Sequence, residues 1–312
     1  MRTNQVLQER VLFMKFYANL HTHSTHSDGV YSPQELVRVA KAEGYRALAI
    51  TDHDTVTAYP ELKAACEKEG MDCIFGAEFS SVSPVLAGRE SWHANFHITA
   101  YHFDPEYPAM KRYLEALSWR KVDLTKRIFD RGVQRGTITN KITWTDVEAY
   151  NPGVTYLCNN HVFAAMQKMG LAKESEYLDF YHANWDDKDN FKEKIAYKWV
   201  EDVIGLILDA GGIPIVAHPV DQLEFMDMLL EAGLQGIEVW HPDVPVDQQE
   251  QAYRIGLEKG LYISGGSDHS GLCGGLYSNF KDSKQSPYYM EPGSAGTTFE
   301  YYMEIKNRRL NR

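Results

Sequence analysis

Histidine, aspartate and glutamate recur at the ends of short apolar segments along this chain. These residue types hold divalent cations and move protons. His21 and His23 are one residue apart in Phe16 to His23, which reads as a strand, and a period of two puts both rings on one face. His53 closes a second segment in Thr51-Asp52-His53-Asp54. Glu78 lies near the end of a third, and His97 lies on a fourth. His218 follows a fifth in Ala217-His218-Pro219, and Asp268 follows a seventh in Gly265-Gly266-Ser267-Asp268-His269. A lone buried histidine is most simply a hydrogen-bonded core residue. That account does not extend to a whole set at equivalent strand ends, because each such group is costly to desolvate unless paired or bound to metal. The nitrogen and oxygen donors suit Zn, Mn or Fe rather than a soft metal.

The remaining histidines read differently. Asp28 sits in the turn Ser27-Asp28-Gly29, with His26 beside it as an alternative ligand. His93 precedes the fourth strand, His102 has the parity that faces away from His97, and His182 reads as a surface residue.

Strands and helices must bring these groups together. Ser32-Pro33-Gln34-Glu35 is a helix start with a capping box, and Gly44 is its stop. Strands are expected at Ala47 to Thr51, Cys73 to Phe79, Ala94 to Tyr101, Ile213 to Ala217, Gly236 to Trp240 and Leu261 to Gly265, giving seven with the first. Helices are expected at Pro60 to Glu69, Leu223 to Ala232, Gln248 to Gly260 and Phe299 to Arg309. The third and fourth strands have no helical pattern between them, so direct pairing is expected. Otherwise the alternation implies an α/β protein with a parallel sheet or barrel, whose strand ends converge on one pocket. Residues 106 to 198 break the pattern. They carry helical periodicity, most clearly from Tyr107 to Arg135, and read as a helical insertion between barrel segments 1–105 and 199–312.

The composition is that of a globular protein, and 32 basic against 43 acidic residues give a net charge of −11. Such a balance lacks the basic footprint of a duplex DNA binder. No apolar run is long enough to span a bilayer. Cys66, Cys73, Cys158 and Cys273 form no CxxC pair and read as reduced thiols of a cytoplasmic protein.

Asn19-Leu20-His21-Thr22-His23-Ser24 with Ser27-Asp28-Gly29 resembles the first motif of the PHP (polymerase and histidinol phosphatase) superfamily. Ile50-Thr51-Asp52-His53-Asp54, Gly76-Ala77-Glu78, Phe96-His97-Ile98, Ala217-His218-Pro219 and Gly265-Gly266-Ser267-Asp268 resemble its later motifs, in order. The resemblance implies a distorted seven-stranded (β/α) barrel with a helical insertion and a phosphoesterase centre of two or three divalent metals. By motif, it implies His21, His23, Glu78 and Asp268 around one metal. Glu78, His97 and His218 would hold a second, and Asp28 and His53 a third. The family usually has a further histidine where this chain has Ser270, with His269 beside it.

The implied reaction is hydrolysis of a small phosphorylated substrate by metal-activated water, with the insertion as a lid. Candidate substrates are a nucleotide phosphate, a single-stranded oligonucleotide end or histidinol phosphate. Asp268 would accept a proton, and His218 or His269 would protonate the leaving group. Relatives carry an Arg-Pro-His segment in the insertion. Here it reads Asn159-Asn160-His161, leaving His161 as a substrate contact, with Arg120 and Arg127 on the long helix as alternative anion clamps. An amidohydrolase-type C–N hydrolase would be expected to show a lysine at a strand end, and none is evident. A non-catalytic polymerase-associated module would have no need of a full ligand set.

Overall fold

The computed structural model describes residues 16–87, 95–185, 195–268 and 295–309. Ser32 opens helix α1 (Pro33–Ala42) through the expected capping box: its side chain accepts from Glu35 N, and Glu35 accepts from Ser32 N. Leu36, Val37 and Ala40 give α1 its buried stripe. Helix α2 (Tyr59–Glu69) ends on Gly70, whose φ of +67° suits a residue without Cβ. The two helices pack against each other and cover three short strands, β1 (Ala18–Asn19), β2 (Ala47–Leu48) and β3 (Asp72–Cys73).

These three strands form a parallel sheet in the order β1-β2-β3. A second sheet has the order β4-β5-β6-β7-β8, from Gly76–Ser81, Phe96–Tyr101, Ile213–Val216, Gly236–Trp240 and Tyr262–Gly265. Strand β5 is antiparallel to both neighbours, as direct pairing of the third and fourth strands requires, and β6 to β8 are parallel. The described residues thus hold eight strands in two sheets, one more strand than the expected seven. The difference arises where Cys73 to Phe79 was expected as one strand. There Ile74 N still bonds Leu48 O in the first sheet, while Phe75 O accepts from His102 N beside the second.

Backbone bonds join the sheets at both edges. Leu20 N reaches Gly265 O on one side, and Asp54 N and Glu78 O meet on the other. Close contact at the first edge depends on glycine: a Cβ on Gly266 would lie 2.3 Å from His21 Cβ.

Between β5 and β6 the described segments are helical: α3 (Pro108–Arg135), α4 (Trp144–Tyr150), α5 (Asn159–Lys168), α6 (Tyr177–Asn184) and α7 (Val200–Asp209). Helix α3, 28 residues long, matches the amphipathic stretch expected from Tyr107 to Arg135 and stops at Gly136 in a left-handed conformation. Phe129, Ile138, Val147, Phe163, Met166 and Phe180 form an apolar cluster of their own there. The main core is separate, lying between the sheets and α1, α2 and α7. Helices α8 (Met226–Glu231), α9 (Val246–Glu258) and α10 (Phe299–Asn307) complete the described chain. No helix among the described residues is long and apolar enough to cross a membrane.

Candidate metal centre

His21 and His23 leave β1 on the same side, as strand parity requires, and both are buried. They meet Glu78 from β4 and Asp268 from the end of β8. His23 Nε2 is 2.8 Å from Asp268 Oδ1 and 3.3 Å from Glu78 Oε2. His21 Nε2 is 3.5 and 3.4 Å from the same two oxygens. Two further groups adjoin. His53 Nδ1 is 3.0 Å from Glu78 Oε2, and His97 Nδ1 and His218 Nε2 are each 3.1 Å from Glu78 Oε1. Asp28 places Oδ1 3.5 Å from His23 Nδ1 and Oδ2 3.7 Å from His53 Nε2. The ligand atoms of His21, His23, Glu78 and Asp268 cluster closely enough for one cation. Those of His53, Glu78 and His97, and of His23, Asp28 and His53, do the same.

The residues fit divalent cations on two counts. Buried His21 Nε2, His23 Nε2, His53 Nδ1 and Glu78 Oε2 have no hydrogen-bond partner. Orphaning a buried polar atom costs about 1–3 kcal/mol, so four that converge are matched far better by a metal. Bonds of about 2.1 Å to one cation also set neighbouring donors about 3.0–3.4 Å apart, close to the spacings found.

The electrostatics point the same way. Burial works to lower the His21 pKa, yet Glu238, Asp268 and Glu78 raise it well above the ordinary value. His23 is likewise raised against burial by Asp28, Asp268 and Glu78. Glu78 and Asp268 are held well below the usual carboxylate range, because facing histidines outweigh burial. His53 falls to about 4, through burial and the rings of His23 and His97. Without metal, the site therefore stores protons on His21 and His23 that a cation must displace.

Neighbouring groups fix this geometry. Asp52 accepts from Ser24 N, Ser24 Oγ and Ser27 Oγ at 2.6–2.7 Å, which folds the loop carrying Asp28 back over His23. Gly29 permits that fold, since a Cβ there would lie 2.3 Å from His23 O. Asn19 and Ser267 exchange two hydrogen bonds, and Asp268 N donates to His21 O at 2.8 Å with φ +48°. His26 faces elsewhere, with Nδ1 2.8 Å from Thr57 Oγ1 and Nε2 3.4 Å from Glu61, so Asp28 rather than His26 joins the centre. His102 lies near Arg308 and His182 is exposed. His93, His269 and Ser270 lie outside the described residues.

The insertion contacts came out differently from the sequence reading. The resemblance implied His161 as a substrate contact. It is buried, and both ring nitrogens are engaged: Nδ1 accepts from Cys158 N at 2.9 Å, and Nε2 donates to Thr25 O at 3.0 Å. Burial lowers its pKa to about 4. With Cys158 Sγ on Ser27 O and Asn160 Nδ2 on Asp28 O, it fastens the start of α5 to the Asp28 loop. Arg120 and Arg127 are exposed. Arg120 donates to Ala196 O and lines a groove of about 770 Å³ that contains none of the centre's residues, and Arg127 pairs with Asp123. Lys121, about 100° around the helix from Arg120, is the cation turned inward. Its Nζ lies 4.9 Å from the Tyr156 ring centre, and its charge acts on Asp28 and Asp54.

Two buried residues were missed, Glu238 and His241. Each had a signal. Glu238 is the acid in the otherwise apolar Gly-Ile-Glu-Val-Trp strand, and Trp240-His241-Pro242 repeats the pattern of Ala217-His218-Pro219. Glu238 accepts from His218 N at 2.8 Å, and both its oxygens lie 3.1 Å from His21 Nδ1. A carboxylate only accepts, so His21 keeps a proton on Nδ1, and Nε2 is the nitrogen from which a cation would displace a proton.

Comparison with known proteins gives a consistent picture. The family model for the PHP domain matches residues 19–214. A phosphoribosyl 1,2-cyclic phosphate 1,2-diphosphodiesterase from Eggerthella lenta is 25% identical, over 82% of this chain and 95% of that protein. A 3',5'-nucleoside bisphosphate phosphatase from Chromobacterium violaceum is 27% identical, over 80% and 86%. A solved structure of a candidate metal-dependent phosphoesterase from Bifidobacterium adolescentis shares the fold, with a TM-score of 0.72 at 24% identity over 95% of this chain and 97% of that one.

Proposed function

The chain belongs to the PHP domain family, and on that premise we propose that it is a metal-dependent phosphoesterase acting on a small phosphorylated substrate. The observation that carries this reading is the convergence of orphaned buried atoms from His21, His23, His53 and Glu78. His21, His23, Glu78 and Asp268 would hold one cation. Glu78, His97 and His218 would surround a second, and Asp28 and His53 a third. The donor set suits Mn, Zn or Fe. When bound, such cations lower the pKa of coordinated water and offset phosphate charge.

The chain's own groups supply the rest. Asp268 stays ionised at neutral pH and holds a carboxylate ready to take a proton. His218 Nε2 lies 3.1 Å from Glu78 Oε1, and where it does not hold the cation it would give a proton to the leaving-group oxygen. Lys121, on α3, is near enough for its charge to act on Asp28 and Asp54. The names of the Eggerthella and Chromobacterium relatives both describe a sugar bearing two phosphates. A phosphorylated nucleotide, with Lys121 on the phosphate that is not cleaved, fits this arrangement. The insertion serves as a lid docked on the Asp28 loop. The bonds joining the two sheets at both edges support reading them as one distorted barrel. Release of p-nitrophenol from p-nitrophenyl phosphate, with and without chelator, tests the proposal. Hydrolysis abolished by chelator and restored by Mn is expected, and chelator-insensitive hydrolysis would refute it.

A further inference from the structure

We propose that His241 is a positioning residue rather than a metal ligand, its Nε2–H turned toward Asp268 so that the other oxygen of that carboxylate faces the cations. The inference rests on the metal-centre reading and adds a division of labour within it. By proximity alone His241 would pass for a ligand: it is buried, and its Nε2 has no hydrogen-bond partner and lies 3.3 Å from Asp268 Oδ2. The other ring nitrogen argues against that. Asp243 N is 3.1 Å from His241 Nδ1, and a backbone N–H can only donate, so Nδ1 must accept. A doubly protonated ring could not accept that bond. A neutral ring that accepts at Nδ1 carries its single proton on Nε2, where a ligand would need a lone pair.

His21, with ring centres 5.8 Å away, is turned the other way. Its Nδ1–H is bound to Glu238, and its Nε2 is the nitrogen a cation would take. The two adjacent rings therefore do opposite work. Asp268 shows the consequence. Its Oδ1 faces His23 and His21 Nε2, at 2.8 and 3.5 Å, while Oδ2 faces His241. The His241 ring is also held in place through its backbone, since His241 O accepts from Val244 N and from Gln249 Nε2 on α9.

The test is NMR on protein carrying isotope-labelled histidine, with the His241 signal identified by its loss in His241→Gln. In metal-free wild type, an Nε2–H tautomer is expected for His241, and an Nδ1–H or doubly protonated ring would overturn the proposal. After loading with NMR-active cadmium, scalar coupling to the metal is expected at His21 and His23, and coupling at His241 would overturn it. Cadmium affinity should fall about 10- to 100-fold in His241→Ala. It should stay within about threefold of wild type in His241→Gln, which keeps an N–H at similar reach. Equal loss in both variants counts against the donor role. Wild type that takes up no cadmium would refute the metal-centre reading, whereas cadmium coupled to His241 would refute this proposal alone.

Discussion

His21 and His161 are almost equally buried, at 0% and 3% exposure, yet they belong to regions built on opposite rules. At the strand ends, His21 spends one nitrogen on Glu238 and leaves the other without a partner, aimed at two carboxylates. At the insertion contact, both nitrogens of His161 are satisfied by backbone groups of Cys158 and Thr25. The first arrangement is costly without a cation and the second is complete as it stands. What separates these two rings is whether a nitrogen remains to give a cation its lone pair, and burial does not report it.

The two regions also respond to pH with opposite signs. The pKa values of His21 and His23 are raised on folding. Their stabilisation of the metal-free protein is full below the unfolded value of about 6.5 and is lost as pH rises through the folded values. His161 is lowered to about 4, so its contribution is present above about 6.5 and is lost as pH falls toward 4.

The largest expected effect comes from Glu78→Gln. A neutral amide cannot bridge cations or balance the surrounding histidines, so activity should fall about a thousandfold or more, with loss of bound metal. Steady-state kinetics and elemental analysis would show it. Near-normal values for both would erase the distinction drawn for the strand ends.

A smaller effect is expected at Lys121, which links the regions. Lys121→Met should raise KM for a nucleoside bisphosphate by about tenfold, as loss of one charge-assisted contact implies, with little change in kcat. Arg120→Ala and Arg127→Ala should change neither. A KM effect confined to the arginines would show that the outward face of α3 meets the substrate.

The smallest effect on catalysis is expected from His161→Gln. It should cost about 1–3 kcal/mol of stability at pH 7.5 and flatten the loss of stability between about pH 6.5 and 4, with kcat changed less than about threefold. Urea unfolding across that pH range would check it. A large drop in kcat with unchanged stability would instead place His161 on the substrate.

How much of this was legible in the sequence depended on how local the information was. Helix α3 was readable because 28 residues keep one period and end at Gly136. Helix α1 was readable because Ser32, Pro33 and Glu35 define its start. The seven-strand count failed at Ile74 and Phe75, where one extended segment passes from the first sheet to the second, a change of partner that no residue type signals. The strand-end histidines were legible as a set because each closes an apolar segment. His241 was overlooked although it closes one too, and its tautomer depends on the Asp243 backbone, which a linear reading does not supply. Arg120 and Lys121 are one helical position apart, and only the packing of α3 shows that Lys121 lies against Tyr156.

The most direct test of the account is a metal add-back titration. Chelator-stripped protein would receive Mn in steps, with bound metal and phosphate released from a nucleoside 3',5'-bisphosphate measured on the same samples. The account expects no activity in the stripped protein, and a rise that follows occupancy and saturates at about two or three equivalents. Full activity in protein that holds almost no metal would contradict it.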